Sequence, residues 1–261
     1  MDWDKQFLPY RQAADELHAK FTNISHQFGK LYNSSPIYAV EARVKTVSSI
    51  LAKAQRKKIP PQDILEFVYD IAGIRIICRF VDDIEQIVDH IRARDDMEIF
   101  DDRDYVTKQK SSGYRGRHLI IRYPVVTLLG STHVLCEIQI RTMAMNMWAV
   151  TEHSLRYKYN GLIPENIHRR LIRTAEAAYV LDSDTNIIRD HILEAEEDIK
   201  SREDIIFFIT NTIEDLYEVA DGAEVGGLYD KFTDILDKND DAGLEAFYHE
   251  IASIAQAYRI R

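Results

Sequence analysis

Three groups of residues have the types and spacing to do chemistry. Lys45, Ser49, Lys53 and Arg56 lie four, four and three residues apart, which on a helix gives them one face. Val44, Val47, Leu51 and Ala54 would form the opposite, core-facing stripe. Arg43 stands just ahead, and no acid interrupts the face from Lys45 to Arg56. Such a stripe is ordinarily a solvated basic surface; a row of unneutralised donors this tight also suits a polyphosphate. The second group lies on two extended runs. Period two puts Glu137, Gln139 and Arg141 on one face of 135–141, opposite Cys136, Ile138 and Ile140. It puts Gly73, Arg75 and Arg79 on one face of 70–80, opposite Ile74, Ile76, Cys78 and Phe80. A solvent-facing sheet surface with cross-strand ion pairs has this pattern. So has a site in which Asp70, at the start of its run, and Glu137 hold a magnesium ion (Mg2+) between the phosphates of a nucleotide. The third group is 110–118, where two glycines, an aromatic and four bases fall within nine residues. The loop can approach an anion closely, and Tyr114 offers a flat face to a base. It is neither a Walker loop nor a dinucleotide fingerprint.

The elements that must position these groups follow from periodicity. Phe7, Leu8, Leu17, Phe21, Ile24, Phe28 and Leu31 predict a helix over about 5–31, stopped by Asn33-Ser34-Ser35-Pro36. A second helix is expected over about 38–57, ending before Ile59-Pro60-Pro61, and a short one over 62–69. Strands are expected over 70–80, 97–105, 116–123 and 133–141, with a helix from Asp82 to about Arg94 between the first two. Helices follow over 143–159 and from Pro164 to about Ser201. The expected fold is α+β: a single mixed or antiparallel sheet packed by helices, in a domain spanning 1–201. An acidic extension, 202–261, should form two or three further amphipathic helices rather than a disordered segment, broken at Asp221-Gly222 and at 240–243.

The chain has 261 residues, 46% hydrophobic and 29% charged, room for one well-cored domain of roughly 150–200 residues and an appendage. Cys78 and Cys136 both sit in apolar runs and read as buried thiols of a reducing compartment. No stretch approaches the roughly 18 apolar residues of a membrane span, and 1–5 lack the pattern of a signal peptide, so a cytoplasmic location is expected. The net charge of −10 is uneven: residues 190–261 carry 19 acids and 6 bases, leaving 1–189 slightly basic. An acidic chain is not expected to bind nucleic acid broadly.

The runs Arg43-Val-Lys45, Asp70-Ile-Ala-Gly-Ile-Arg75, Arg103-Asp-Tyr105, Ser112-Gly-Tyr-Arg115 with His118, Glu137-Ile-Gln139-Ile-Arg141-Thr142, Asn146-Met-Trp148-Ala and 152–159 occur in this order. Together they closely resemble the RelA/SpoT synthetase domain. Phe7-Leu8-Pro9-Tyr10-Arg11 and the helix after Pro164 further resemble RelQ-type small alarmone synthetases, over about residues 5–200. The resemblance implies a GTP pyrophosphokinase that moves pyrophosphate from ATP to the 3′-hydroxyl of GTP, GDP or GMP, releasing AMP, in a homotetramer. It implies ATP phosphate binding by Arg43, Lys45, Ser49, Lys53 and Arg56, adenine stacking on Arg75, and Arg103 near the same nucleotide. It implies guanine stacking on Tyr114, acceptor phosphates held by Lys110 and His118, and an acceptor site lined by Gln139 and Asn146. Asp70 and Glu137 would hold Mg2+, with Glu137 as the base for the 3′-hydroxyl.

Some features depart from that pattern. There is no His-Asp dipeptide, so the hydrolase activity of the large bifunctional members is not expected. RelQ-type tetramers often carry a central cleft where the alarmone activates. There Ala39 and Glu41 replace an aromatic and a hydroxyl residue, and His18 and Thr22 replace lysines. Glu41 would repel an alarmone phosphate, so weak or no activation by product is expected. Gly116-Arg117 differs from the usual small-then-apolar pair, which makes Arg117 a candidate for altering acceptor choice. Toxin-like relatives that modify adenine nucleotides or tRNA ends are one rival reading. A nucleotide- or RNA-binding regulator without turnover is another, and it would be expected to lack Asp70 or Glu137.

Overall fold

Alternation of apolar and polar residues in two stretches builds the centre of a sheet: Ala72–Cys78 (β2) and Gly130–Thr142 (β5). A computed structural model describes residues 3–158, 163–219 and 222–258. Five strands run in the order β1-β2-β5-β4-β3, with β1 at Ala39–Val44, β3 at Glu98–Asp104 and β4 at Arg117–Thr127. β2 and β5 are parallel and the other neighbours antiparallel, so the sheet is mixed, as expected. One face is apolar throughout: Ile74, Ile76 and Cys78, then Cys136, Ile138 and Ile140, then Leu119 and Ile121, all essentially without exposure. These belong to one core with Trp3–Tyr32 (α1), which buries Tyr10, Leu17, Phe21 and Ile24, and Asp82–Arg92 (α4), which buries Ile84, Ile87, Val88 and Ile91. A single fully buried side chain of this size stabilises by roughly 1.5–3 kcal/mol, so this face fixes the register of the other.

The expected helix over 38–57 is corrected to two elements. Residues 39–44 are strand β1, paired antiparallel with β2, and the helix is Val47–Lys57 (α2). Val40, Ala42 and Val44 alternate along a strand, and Thr46 caps α2 by accepting from the Ser49 amide at 3.3 Å. The helix therefore starts later than its apolar spacing implied. It buries Ile50 and Ala54, and the expected core residue Leu51 is 45% exposed. The turn at Pro61–Asp63 leads into the short helix Ile64–Phe67 (α3). Met143–Lys158 (α5) follows β5 directly; Tyr159, the expected end of that helix, lies outside the described residues.

Contacts divide the chain into two units, Met1–Ile187 and Ile188–Arg261. The helix after Pro164, Glu165–Val219 (α6), continues past Ser201, for 165–219 contains neither glycine nor proline. The second unit is helical: the end of α6, Gly222–Asp237 (α7) and Asp241–Tyr258 (α8). Ile209, Ile213, Leu216, Val225, Phe232, Leu244, Phe247 and Ile251 form its own core. Asp240 caps α8 by accepting from the Gly243 amide at 2.9 Å, which places one expected break. At the other, Asp221 lies outside the described residues.

Candidate active site

Opposite the apolar face, the strand registers align polar side chains in two rungs. One runs Glu41–Arg75–Gln139–His118–Arg103 and the other Arg43–Gly73–Glu137–Ile120–Asp101. Charged side chains expected on separate strands thus become lateral neighbours, because strands lie about 4.8 Å apart. Glu41, Arg43, Asp70, Arg75, Glu137 and Gln139 line one cleft of about 470 Å³, its open mouth included. Gly73 at its floor leaves room for Arg43, whose Cγ and Nε would lie 3.8 and 3.9 Å from a Cβ there.

The Asp70 carboxylate is gripped through Oδ2 by two ammonium groups, Lys45 Nζ at 2.5 Å and Lys53 Nζ at 2.6 Å. Burial alone would raise its pKa; the two lysines outweigh burial and hold it below the ordinary carboxylate value. Its other oxygen, Oδ1, is buried without a hydrogen-bond partner, as is Arg75 Nε. Orphaned polar atoms at the wall of a cleft are what a ligand satisfies. A divalent cation with oxygen ligands fits Asp70 Oδ1 and Glu137 on chemistry. Among the described residues no trio of acid, His or Cys side chains could hold a metal alone, so remaining ligands would come from phosphate and water, as Mg2+ prefers.

Glu137 sits in a closed ring of hydrogen bonds. Its Oε1 faces His118 Nδ1 at 3.0 Å and its Oε2 accepts from Gln139 Nε2 at 2.6 Å. His118 Nε2 meets the Tyr114 hydroxyl, which accepts from Arg141 Nε at 2.9 Å; Arg141 Nη2 donates to Gln139 Oε1 at 2.6 Å. Burial would raise the pKa of Glu137, but His118, Gln139 and the nearby Lys53 charge bring it down to about 2. Burial lowers that of His118, Glu137 opposing, so the ring is neutral imidazole beside carboxylate.

The loop bearing Tyr114 requires its glycines. Gly113 has φ +90°, and a Cβ there would lie 2.7 Å from that of Ala175; Gly116 has φ +149°, and a Cβ would lie 2.9 Å from the Tyr114 hydroxyl. Lys110 Nζ stands 4.1 Å from the centre of the Tyr105 ring and 4.8 Å from that of Tyr114, whose ring also receives the Arg141 guanidinium at 5.0 Å. Burial lowers the pKa of Lys110, with Glu137 opposing.

The structure thus brings Arg43, Asp70, Arg75, Glu137 and Gln139 to one cleft, ties Lys45 and Lys53 to it through Asp70, and joins Tyr114 and His118 to it through Glu137. Asn146 accepts from Arg141 Nη1 at 3.5 Å. Ser49 is exposed, its hydroxyl accepting from Thr46 at 2.9 Å, and Arg56 is exposed near the end of α2. Arg103 pairs with Asp101 on β3. One placement differs from expectation. Arg117 points to the helix side of the sheet, its Nε 2.6 Å from Asp102, so it cannot shape the acceptor site directly. Glu41 lines the cleft and binds Arg75 Nη1 at 2.8 Å. Arg141 was placed by period two on the face of Glu137 yet assigned no role; Tyr105 gave no signal beyond its motif.

The sequence profile described as a region found in RelA / SpoT proteins matches residues 42–162, spanning β1 to just past α5. The GTP pyrophosphokinase YjbM of Bacillus subtilis is 50% identical over 194 residues, 74% of this chain and 92% of YjbM. The chain belongs to the RelA/SpoT family. A second such relative, the GTP pyrophosphokinase YwaC of the same organism, is 39% identical over 183 residues, 69% of this chain and 87% of YwaC. The crystal structure of B. subtilis small alarmone synthetase 1 bound to its product pppGpp superposes with a TM-score of 0.71 at 49% identity, over 73% of this chain and 97% of that one. The same synthetase bound to AMPCPP gives 0.65 at 44% identity, over 74% and 98%. The RelA/SpoT sheet and its polar face therefore lie in the part of the chain these relatives share, and no described helix is long and apolar enough to cross a membrane.

Proposed function

We propose that this chain is an alarmone synthetase that transfers pyrophosphate from ATP to the 3′-hydroxyl of a guanine nucleotide and releases AMP. The observation that carries the reading is the cleft itself: two carboxylates, one with an orphaned oxygen, walled by Arg43 and Arg75 and backed by Lys45 and Lys53. Two polyanions must be held side by side for this reaction, so cations should outnumber acids at the site. The relatives' named activity and their bound pppGpp and AMPCPP agree with the reading.

The ATP phosphates replace Asp70 as partners of Lys45 and Lys53, with Arg43 beside them and Arg75 against adenine. Tyr114 and Lys110 take the acceptor. Asp70 and Glu137 would hold Mg2+, which would supply charge neutralisation to the phosphates. Glu137 takes the proton of the 3′-hydroxyl as its oxygen bonds to the β-phosphorus; the bond from that phosphorus to the αβ-bridging oxygen breaks, and AMP leaves with the electron pair. A carboxylate fixed by two donors stays ionised and aimed, and its low proton affinity is offset by alignment. Incubating the purified chain with Mg2+, ATP and GTP, GDP or GMP in turn, and reading products by mass, tests the proposal. One AMP per guanine nucleotide gained by two phosphates supports it; no AMP, or modification of an adenine acceptor only, overturns it.

A further inference from the structure

The ring of hydrogen bonds around Glu137 has a direction, running from Arg141, which only donates, to the Glu137 carboxylate, which only accepts. A guanidinium has only donors, so the Tyr114 oxygen must accept from Arg141 Nε at 2.9 Å. The single Tyr114 proton is then left to point at His118 Nε2, which becomes the acceptor. The imidazole proton therefore sits on Nδ1 and is donated to Glu137 Oε1 at 3.0 Å. On the other arm, Arg141 Nη2 at 2.6 Å from Gln139 Oε1 turns the amide so that its NH2 faces Glu137 Oε2 at 2.6 Å. Both oxygens of one carboxylate are thus addressed by donors that one cation braces from behind. Arg141 is 6% exposed, and among the described residues no carboxylate forms an ion pair with it. A buried guanidinium without an acid partner is costly, which argues that its donors serve a purpose.

We propose that Arg141 is a positioning residue for the reaction, orienting Glu137 through Tyr114 and His118 on one side and through Gln139 on the other. It touches neither reacting atom. Without it the acceptor-only carboxylate still calls for the Nδ1–H tautomer and for the Gln139 NH2, but the Tyr114 hydroxyl and Gln139 Oε1 lose the donor that holds them in place. The role of Glu137 as base rests on the reading above; the direction of the ring does not.

The test has two arms on the full chain. Long-range proton–nitrogen NMR of the ring nitrogens, with the His118 signals assigned by their loss in His118→Gln, reads the tautomer. The wild type is expected to carry the proton on Nδ1, and Arg141→Gln to keep it there with the Nε2 resonance shifted as the bond to Tyr114 loosens. Kinetics of Arg141→Gln are expected to give kcat down by roughly 100-fold, with KM for ATP within about threefold, and Arg141→Lys should recover part of the loss. Added guanidinium should raise turnover of Arg141→Ala. A wild-type Nε2–H imidazole, or an unmoved Nε2 resonance in Arg141→Gln, overturns the proposal; so does wild-type kcat in that variant. Should Arg141→Gln fail to fold, the wild-type tautomer and Arg141→Lys decide. Should the wild type make no AMP, pyrophosphate transfer falls and the NMR arm alone judges the ring.

Discussion

Asp70→Asn should tighten the binding of metal-free ATP while destroying turnover. In the resting chain the carboxylate occupies the two ammonium groups that the phosphates need, at 2.5 and 2.6 Å, with side-chain exposures of only 19% for each lysine and 12% for the acid. A triphosphate entering without metal must displace that carboxylate or sit beside it. A unit charge about 4 Å from a phosphate oxygen at an effective dielectric near 20 costs about 4 kcal/mol. Half of this survives the screening of an open cleft, so the variant gains about 2 kcal/mol, or roughly 30-fold in Kd. The released lysines repel one another in the empty variant, which raises the free energy of the empty state and adds to the gain. Calorimetric titration with ATP in EDTA, repeated with excess Mg2+, reads the effect. In EDTA the variant should bind more tightly than the wild type; with Mg2+ the order should reverse, because the metal ligand is gone. Weaker binding by the variant under both conditions, with its fold intact by circular dichroism, would refute the assignment of Lys45 and Lys53 to phosphate.

Other expectations follow from single contacts. Glu137→Gln should lower kcat by at least roughly 100-fold while leaving nucleotide Kd values within a few-fold, and wild-type turnover would remove the base assignment. Asp182, 3% exposed, accepts from the Thr142 hydroxyl at 2.7 Å, and burial pushes its pKa up to about 6 despite that bond. Its folded value lies above the unfolded one, so its contribution is full in acid and lost as pH rises through about 6. Asp182→Asn keeps the acceptor and should melt higher than wild type at pH 8, by up to about 3 kcal/mol, with the gap closing below about pH 5; a pH-independent gap would count against a protonated carboxyl. Gly113→Ala must place a Cβ 2.7 Å from Ala175 at φ +90°, so it should cost about 2–3 kcal/mol and raise acceptor KM more than that for ATP. Light scattering should give four copies, the assembly implied by the RelQ resemblance.

Much of the site was legible because period two is a local rule. Glu137, Gln139 and Arg141 alternate with Cys136, Ile138 and Ile140, and the burial of the second set settles the face of the first. β1 was not legible for the converse reason. Its six residues alternate weakly, Val44 also fits the helical spacing of Val47 and Ala54, and the partner strand that makes 39–44 extended begins 28 residues beyond its end. Arg117 was misplaced because register decides which face a residue meets, and register depends on non-local pairing. The ring at Glu137 joins Tyr114 to Arg141 across 27 residues, a closure no spacing rule contains. In the second unit, amphipathic spacing and the 240–243 break were enough to foresee helices, while the continuity of α6 past Ser201 follows from the absence of any breaker.

The central claim is that the acceptor oxygen attacks the β-phosphorus of ATP in the Asp70–Glu137 cleft. The most direct test is one turnover with ATP carrying oxygen-18 in the αβ bridge, followed by mass analysis of both products. The label is predicted to appear in AMP, and the guanine product to gain two unlabelled phosphates at its 3′ position. Label found in the guanine product would place the break at the α-phosphorus and contradict the account.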